Sequence, residues 1–65
     1  MSLKKYRIDV SALSGTAQEE AIAFIDNHAF TSTLESPCCF ITFWDEQEDP
    51  SLYPALSGSI LTKLP

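Results

Sequence analysis

Pro37-Cys38-Cys39-Phe40-Ile41-Thr42-Phe43-Trp44-Asp45-Glu46-Gln47-Glu48-Asp49 is the stretch on which the rest of the chain is organised. Its first part reads as a strand from Cys38 to Asp45, in which Cys39, Ile41 and Phe43 point one way and Phe40, Thr42 and Trp44 the other. Both sets are largely apolar, the pattern of a strand buried on two faces. The strand then turns directly into the acidic run Asp45 to Asp49, which ends the apolar segment and keeps it soluble.

On the N-terminal side, Lys4 to Ser11 alternates cleanly, with Tyr6, Ile8 and Val10 on one side and Lys5, Arg7 and Asp9 on the other. That is a strand with one dry and one wet face. Ser14-Gly15-Thr16 breaks the alternation, and Thr16 with Glu19 has the T-x-x-E spacing of a capping box, predicting a helix from Ala17. Ala17, Ala21, Ile22, Phe24, Ile25, His28 and Ala29 follow the 3.6-residue period, leaving Gln18, Glu19, Ala23, Asp26 and Asn27 on the wet face. The helix is expected to fray between Asn27 and Phe30, since Thr31-Ser32-Thr33 are poor helix formers. Leu34 to Pro37 then reads as the connection back to the sheet.

Beyond the acidic run, Pro50 and Pro54 predict an irregular, docked loop. Ser59 to Leu64 predicts a third strand, suited by the proline that follows to a sheet edge. The fold class is therefore α+β: one small βαββ domain over residues 1–65, with one helix on a three-stranded mixed sheet. The helix makes a crossover, so the first two strands are expected to be parallel neighbours; the long loop allows the third to pair antiparallel with the second, and the choice between parallel and antiparallel stays open. A single helix covers one sheet face. The Phe40, Thr42, Trp44 face is expected to be covered by self-association, making the protein a homo-oligomer. The tetrapeptide Ala-Leu-Ser-Gly occurs twice, at Ala12 to Gly15 and Ala55 to Gly58, and is too short to establish a repeat.

A chain of 65 residues buries a small core with a thin margin of stability. The two cysteines are adjacent and cannot close a long loop on each other, so they read as reduced thiols of a cytosolic protein. No apolar stretch approaches the roughly 18 residues of a membrane span, and no apolar signal segment is apparent, which predicts a cytoplasmic location. Four Lys and Arg against nine Asp and Glu give a net charge of −5. That balance disfavours nucleic acid and anionic membranes and favours a basic protein as partner.

The residues able to carry chemistry do not assemble into a motif. Cys38 and Cys39 have no Lys or Arg within ten residues to depress a thiol pKa and read as small buried hydrophobes. His28 is the only histidine and fits a helix C-terminus. The spacing offers no set of about four metal ligands, and Ser14-Gly15-Thr16 lacks the glycine pattern of a phosphate loop. The acidic run lacks the glycine and terminal glutamate of a calcium loop. No catalytic residue, cofactor or metal is predicted.

The expectation is a non-catalytic interaction module. Phe40 and Trp44, extended by Tyr53, would supply an aromatic contact, and Asp45, Glu46, Glu48 and Asp49 a carboxylate surface for a basic partner. Two alternatives remain at this level. One is an acidic inhibitor that mimics a nucleic-acid backbone, for which Glu19, Glu20, Asp26 and Glu35 would have to join the run in space. The other is a subunit completing a small-molecule site at an interface, lined by Cys39, His28 or Tyr53.

Overall fold

The structure is a computed structural model that describes residues 2–65. Its elements, in chain order, are β1 (Leu3–Asp9), α1 (Gly15–His28), β2 (Thr31–Ser36), β3 (Cys39–Asp45), two 3₁₀ turns (Pro50–Leu52 and Pro54–Leu56) and β4 (Ile60–Leu64). The strands form one sheet in the order β2-β3-β1-β4, and every neighbouring pair is antiparallel. The class is α+β as expected, with four strands in place of three.

The additional strand is β2. Thr31-Ser32-Thr33 does stop the helix, and it also starts a strand, because β-branched threonine suits extended backbone. Leu34 to Ser36, expected to be connection, belongs to the same strand. Leu34 is the strand's one large apolar residue, so the sequence offers no hydrophobic alternation by which to detect it.

This strand corrects the predicted pairing. β1 and β3 were expected to be parallel neighbours and are antiparallel, in the register Tyr6↔Thr42 and Ile8↔Phe40. The helix crossover joins β1 to β2, which do run in the same direction, with β3 lying between them. β4 is an edge strand as expected but pairs with β1 rather than β3, with Ile8 opposite Leu61. β3 and β4 therefore flank β1 in the same direction, and residues 46–59 must cross it.

They cross on the helix side, so two segments cover one face of the sheet. The core joins Ile8, Val10, Phe40 and Trp44 of the sheet to Ala21 and Ile25 of α1 and to Leu56 of the second 3₁₀ turn. Pro50 and Pro54 each open a 3₁₀ turn, where a fixed φ is favourable and a missing amide costs nothing. The docked proline loop is thus a second covering layer.

Phe40, Thr42 and Trp44 lie beneath that layer. Trp44 is 0% and Phe40 8% exposed, which overturns the expectation that this face awaits a second subunit. The reason is that the helix and the proline segment together span it. The accessible surface of 4089 Å² is close to the roughly 4,100 Å² of a folded monomer of this mass. The radius of gyration, 10.7 Å, likewise matches the compact-chain value of about 10.7 Å for this length. One chain reaches full compactness by itself.

The start of α1 also departs from the expected capping box. Gly15 enters the helix with φ +58°, a left-handed conformation in which glycine avoids a steric cost. Ser14 occupies the N-cap without a side-chain hydrogen bond. Thr16 falls inside the first turn, so its hydroxyl is displaced from the capping position. Gln18, expected on the wet face, turns inward. Its Nε2 donates to the carbonyls of Val10 (3.0 Å) and Leu13 (3.2 Å) and lies 3.6 Å from the Cys38 Sγ. It ties the β1–α1 loop to the start of β3. Among the described residues no helix is long and apolar enough to cross a membrane.

Candidate functional site

The acidic run is a folded turn rather than a free array of charge. The Asp45 Oδ1 accepts from the Gln47 amide (2.9 Å), and the Asp49 Oδ1 from the Ser51 amide (3.0 Å) and hydroxyl (2.6 Å). The Glu48 carboxylate accepts from the Tyr53 hydroxyl. Such Asx turns are the local competition that aspartate offers to regular structure. Of the carboxylates in the run, Glu46 alone has no side-chain partner among the described residues. The Ser51 hydroxyl and amide hold the Asp49 carboxyl below the ordinary 3.8. The bond to Glu48, partial desolvation and the charges of Glu48 and Asp49 push the Tyr53 hydroxyl above 10.0.

Tyr53 does join Trp44, as the sequence suggested, but through the interior. The rings lie 6.3 Å apart, both against Phe24, which stands 6.4 Å from Trp44 and 4.8 Å from Tyr53. His28 stacks on Phe24 at 4.1 Å, one helical turn away. The four rings fasten the C-terminal half of α1 to the proline segment and the sheet. The predicted contact surface of Phe40, Trp44 and Tyr53 is thus part of the packing, and the acidic loop is anchored to it by Glu48.

The thiols and the histidine are kept apart. Cys38 packs against the core beside Gln18, whereas Cys39 lies on the opposite sheet face, paired with Asp9. Burial raises the Cys39 thiol pKa, and the charges of Glu35 and Asp9 raise it further. His28 is ten residues along the helix from Gln18, about 15 Å at 1.5 Å per residue. Of the residues named for an interface small-molecule site, His28 and Tyr53 lie together with their rings 6.2 Å apart, while Cys39 occupies the other sheet face. Among the described residues there is no cluster of three or more metal-ligating side chains, and no pocket opens on the surface.

The carboxylates are also dispersed. The acidic loop leaves β3 at Asp45, opposite Leu3, while α1 with Glu19 and Glu20 starts from the other end of β1, where Asp9 faces Cys39. Glu35 lies on the uncovered sheet face and pairs with Arg7 at 3.3 Å. A backbone mimic needs its charges on one face, which this arrangement does not provide.

That uncovered face carries Cys39, Ile41 and Phe43, and long charged side chains shade it. Lys5 extends over Phe43 with its Nζ 5.9 Å from the ring centroid. Arg7 reaches across β3 to Glu35, passing the Ile41 position with which Arg7 is in register. The stems of these residues cover apolar surface while their heads stay wet. Ile41 and Phe43 are consequently half-buried within the single chain.

The most open large apolar side chains lie elsewhere: Leu52 in the first 3₁₀ turn (77%), Ile60 on β4 (58%), and two at the β2 edge. Phe30 and Leu34 are 61% and 60% exposed, one just before β2 and one within it. Leu34 shares the helix-side face with Phe40 and Ser32 with Thr42. The Phe30 amide donates to the Phe43 carbonyl at 2.7 Å, carrying the chain into the sheet. Sequence reasoning missed these two residues because β2 itself was missed. Comparison with protein-family models, curated proteins and solved structures gives no match.

Proposed function

We propose that this chain is a non-catalytic protein–protein interaction module whose binding element is the β2 edge. The observation that carries this reading is an edge strand whose first four residues, Thr31 to Leu34, lack the usual protection. An edge presents alternate backbone N–H and C=O groups outward, and natural sheets blunt it with lysine, proline or a bulge. β4, the other edge, contains Lys63 and precedes Pro65. β2 is likewise followed by a proline, Pro37, and has its irregularity between Leu34 and Ser36, but both fall at its C-terminal end and leave the run Thr31-Ser32-Thr33-Leu34 without lysine, proline or bulge. An extended polypeptide added there would gain main-chain hydrogen bonds from the strand and apolar contact from Phe30 and Leu34.

This moves the expected binding surface from the sheet face to the sheet edge, because Phe40 and Trp44 are used inside the fold. The acidic loop then acts through its field. The test is an NMR titration with a small set of soluble extended peptides that alternate threonine with valine or leucine. Shifts confined to residues 30–36 in the wild type, and lost in Leu34→Lys, are the expected result. Peptides that leave β2 unperturbed, or that shift Ile41 and Phe43 instead, would remove the reading.

A further inference from the structure

Resting on that edge reading, we propose that the strand which pairs with β2 is β2 of a second copy, antiparallel, with Ser32 opposite Ser32 of the other chain. Three observations lead there. The first is face. Residues 32 and 34 alternate with 31 and 33, and Leu34 and Ser32 belong to the helix side, while Phe30 directly precedes the strand. A register that opposes 32 to 32 keeps like faces together, so both helices lie on one side of a continuous eight-stranded sheet. A slip of one residue would oppose unlike faces.

The second is what this register brings together. Continued one residue beyond the start of the strand, the register sets Phe30 opposite Leu34 of the other copy, and Leu34 opposite its Phe30, so the open apolar side chains at one edge cover those at the other. Thr31 falls opposite Thr33, twice. Aromatic–aliphatic and threonine pairs are favourable cross-strand neighbours. Moving the axis to Thr33 would oppose Leu34 to Ser32 and leave Phe30 against Ser36. It would gain nothing apolar.

The third is charge. Two chains of net charge −5 repel wherever carboxylates meet, and Phe30 to Leu34 contains none. Glu35 of one copy falls opposite Ala29 of the other, away from its own counterpart. The contact is one short strand pair, small beside the roughly 1,200 Å² of the smallest specific stable interfaces. The dimer is therefore weak, and added salt strengthens it by screening the net repulsion.

The experiment is sedimentation equilibrium from about 10 μM to about 1 mM, a range suited to an interface this small, at low and high salt. Three samples are compared: wild type, Phe30→Lys and Leu34→Glu, together with an equimolar mixture of the two variants. The wild type should dimerise with rising concentration, more so in high salt, and each variant alone should be monomeric. The mixture should form a heterodimer, since the register places the new lysine of one chain against the new glutamate of the other. Its remaining Leu34–Phe30 pair stays native. Restoration on mixing also shows that both variants are folded.

A wild type that stays monomeric throughout overturns the second-copy inference and leaves the edge reading to the peptide titration. Dimerisation unaffected by either substitution assigns self-association to another surface and overturns it too. Variants that are monomeric alone and fail to restore on mixing overturn the register.

Discussion

The Trp44 indole Nε1 donates to the Thr42 Oγ1 at 2.7 Å, two residues earlier on the same face of β3. The Thr42 hydroxyl in turn donates to the Tyr6 carbonyl at 3.1 Å, across the strand pair. Thr42 is the buried polar residue of the core, and this relay satisfies it while orienting the largest core side chain. Thr42→Val keeps the shape and leaves the Trp44 N–H without its partner, a loss of about 1–3 kcal/mol. In a domain of this size that lowers Tm by about 4–8 °C per kcal/mol. Thr42→Ser should lose less, and thermal unfolding of both variants checks the order.

Gln18 is the polar side chain that joins three segments. Gln18→Glu replaces a donor to two carbonyls by an acceptor that repels them. The expected loss is about 1–3 kcal/mol, seen as a lower urea midpoint with an unchanged m-value. A midpoint equal to that of the wild type would mean that water serves the Val10 and Leu13 carbonyls equally well.

Gly15 and Gly58 end the two Ala-Leu-Ser-Gly copies, and both have positive φ, +58° and +90°. The copies lie at one end of the sheet but lead into a helix and a strand, respectively, so they are not a structural repeat. A Cβ at Gly15 would meet nothing within 4 Å, whereas one at Gly58 would come 2.9 Å from the Leu13 Cδ2. Gly15→Ala should cost about 1–2 kcal/mol from backbone strain alone. Gly58→Ala adds displacement of Leu13 to that strain and should unfold at lower temperature than Gly15→Ala.

Stability should fall at both pH extremes for identifiable reasons. Serine hydroxyls and amides hold Asp9 and Asp49 below 3.8, so the unfolded chain binds protons more readily at those sites. Their contribution is present above that value and is lost as pH falls through the folded pKa. Tyr53 is raised above 10.0, so its contribution is present below the ordinary value and is lost as pH rises through the folded one. Phenolate absorbance should show Tyr53 titrating late, and Tyr53→Phe should remove that alkaline loss. Replacing both aspartates by asparagine should flatten the acid limb of the denaturation curve.

Much of the fold was legible where periodicity and burial coincide. β1 alternates because one face is dry, and α1 follows its apolar stripe. β3 was evident from seven consecutive residues with one charge at the end. β2 was not legible, because an edge strand with a single large apolar residue has no pattern to read. Missing it reversed the expected direction of β3 relative to β1 and hid Phe30 and Leu34. The acidic run was visible as composition, but not as a turn whose carboxylates accept from Gln47, Ser51 and Tyr53.

The sequence by itself determined the α+β class, the strand and helix that build the core, the net charge and the absence of a recognisable catalytic motif. Those follow from local pattern and residue type. Tertiary structure alone decided which face of β3 is covered. Phe40, Thr42, Trp44 and Cys39, Ile41, Phe43 are both largely apolar sets, so alternation by itself does not choose between them. The choice is made at long range, where Ile8 opposes Phe40 and α1, Leu56 and Tyr53 close over the same side. The other face is left to Lys5, Arg7 and Glu35, and Phe30 and Leu34 stay open at the β2 edge.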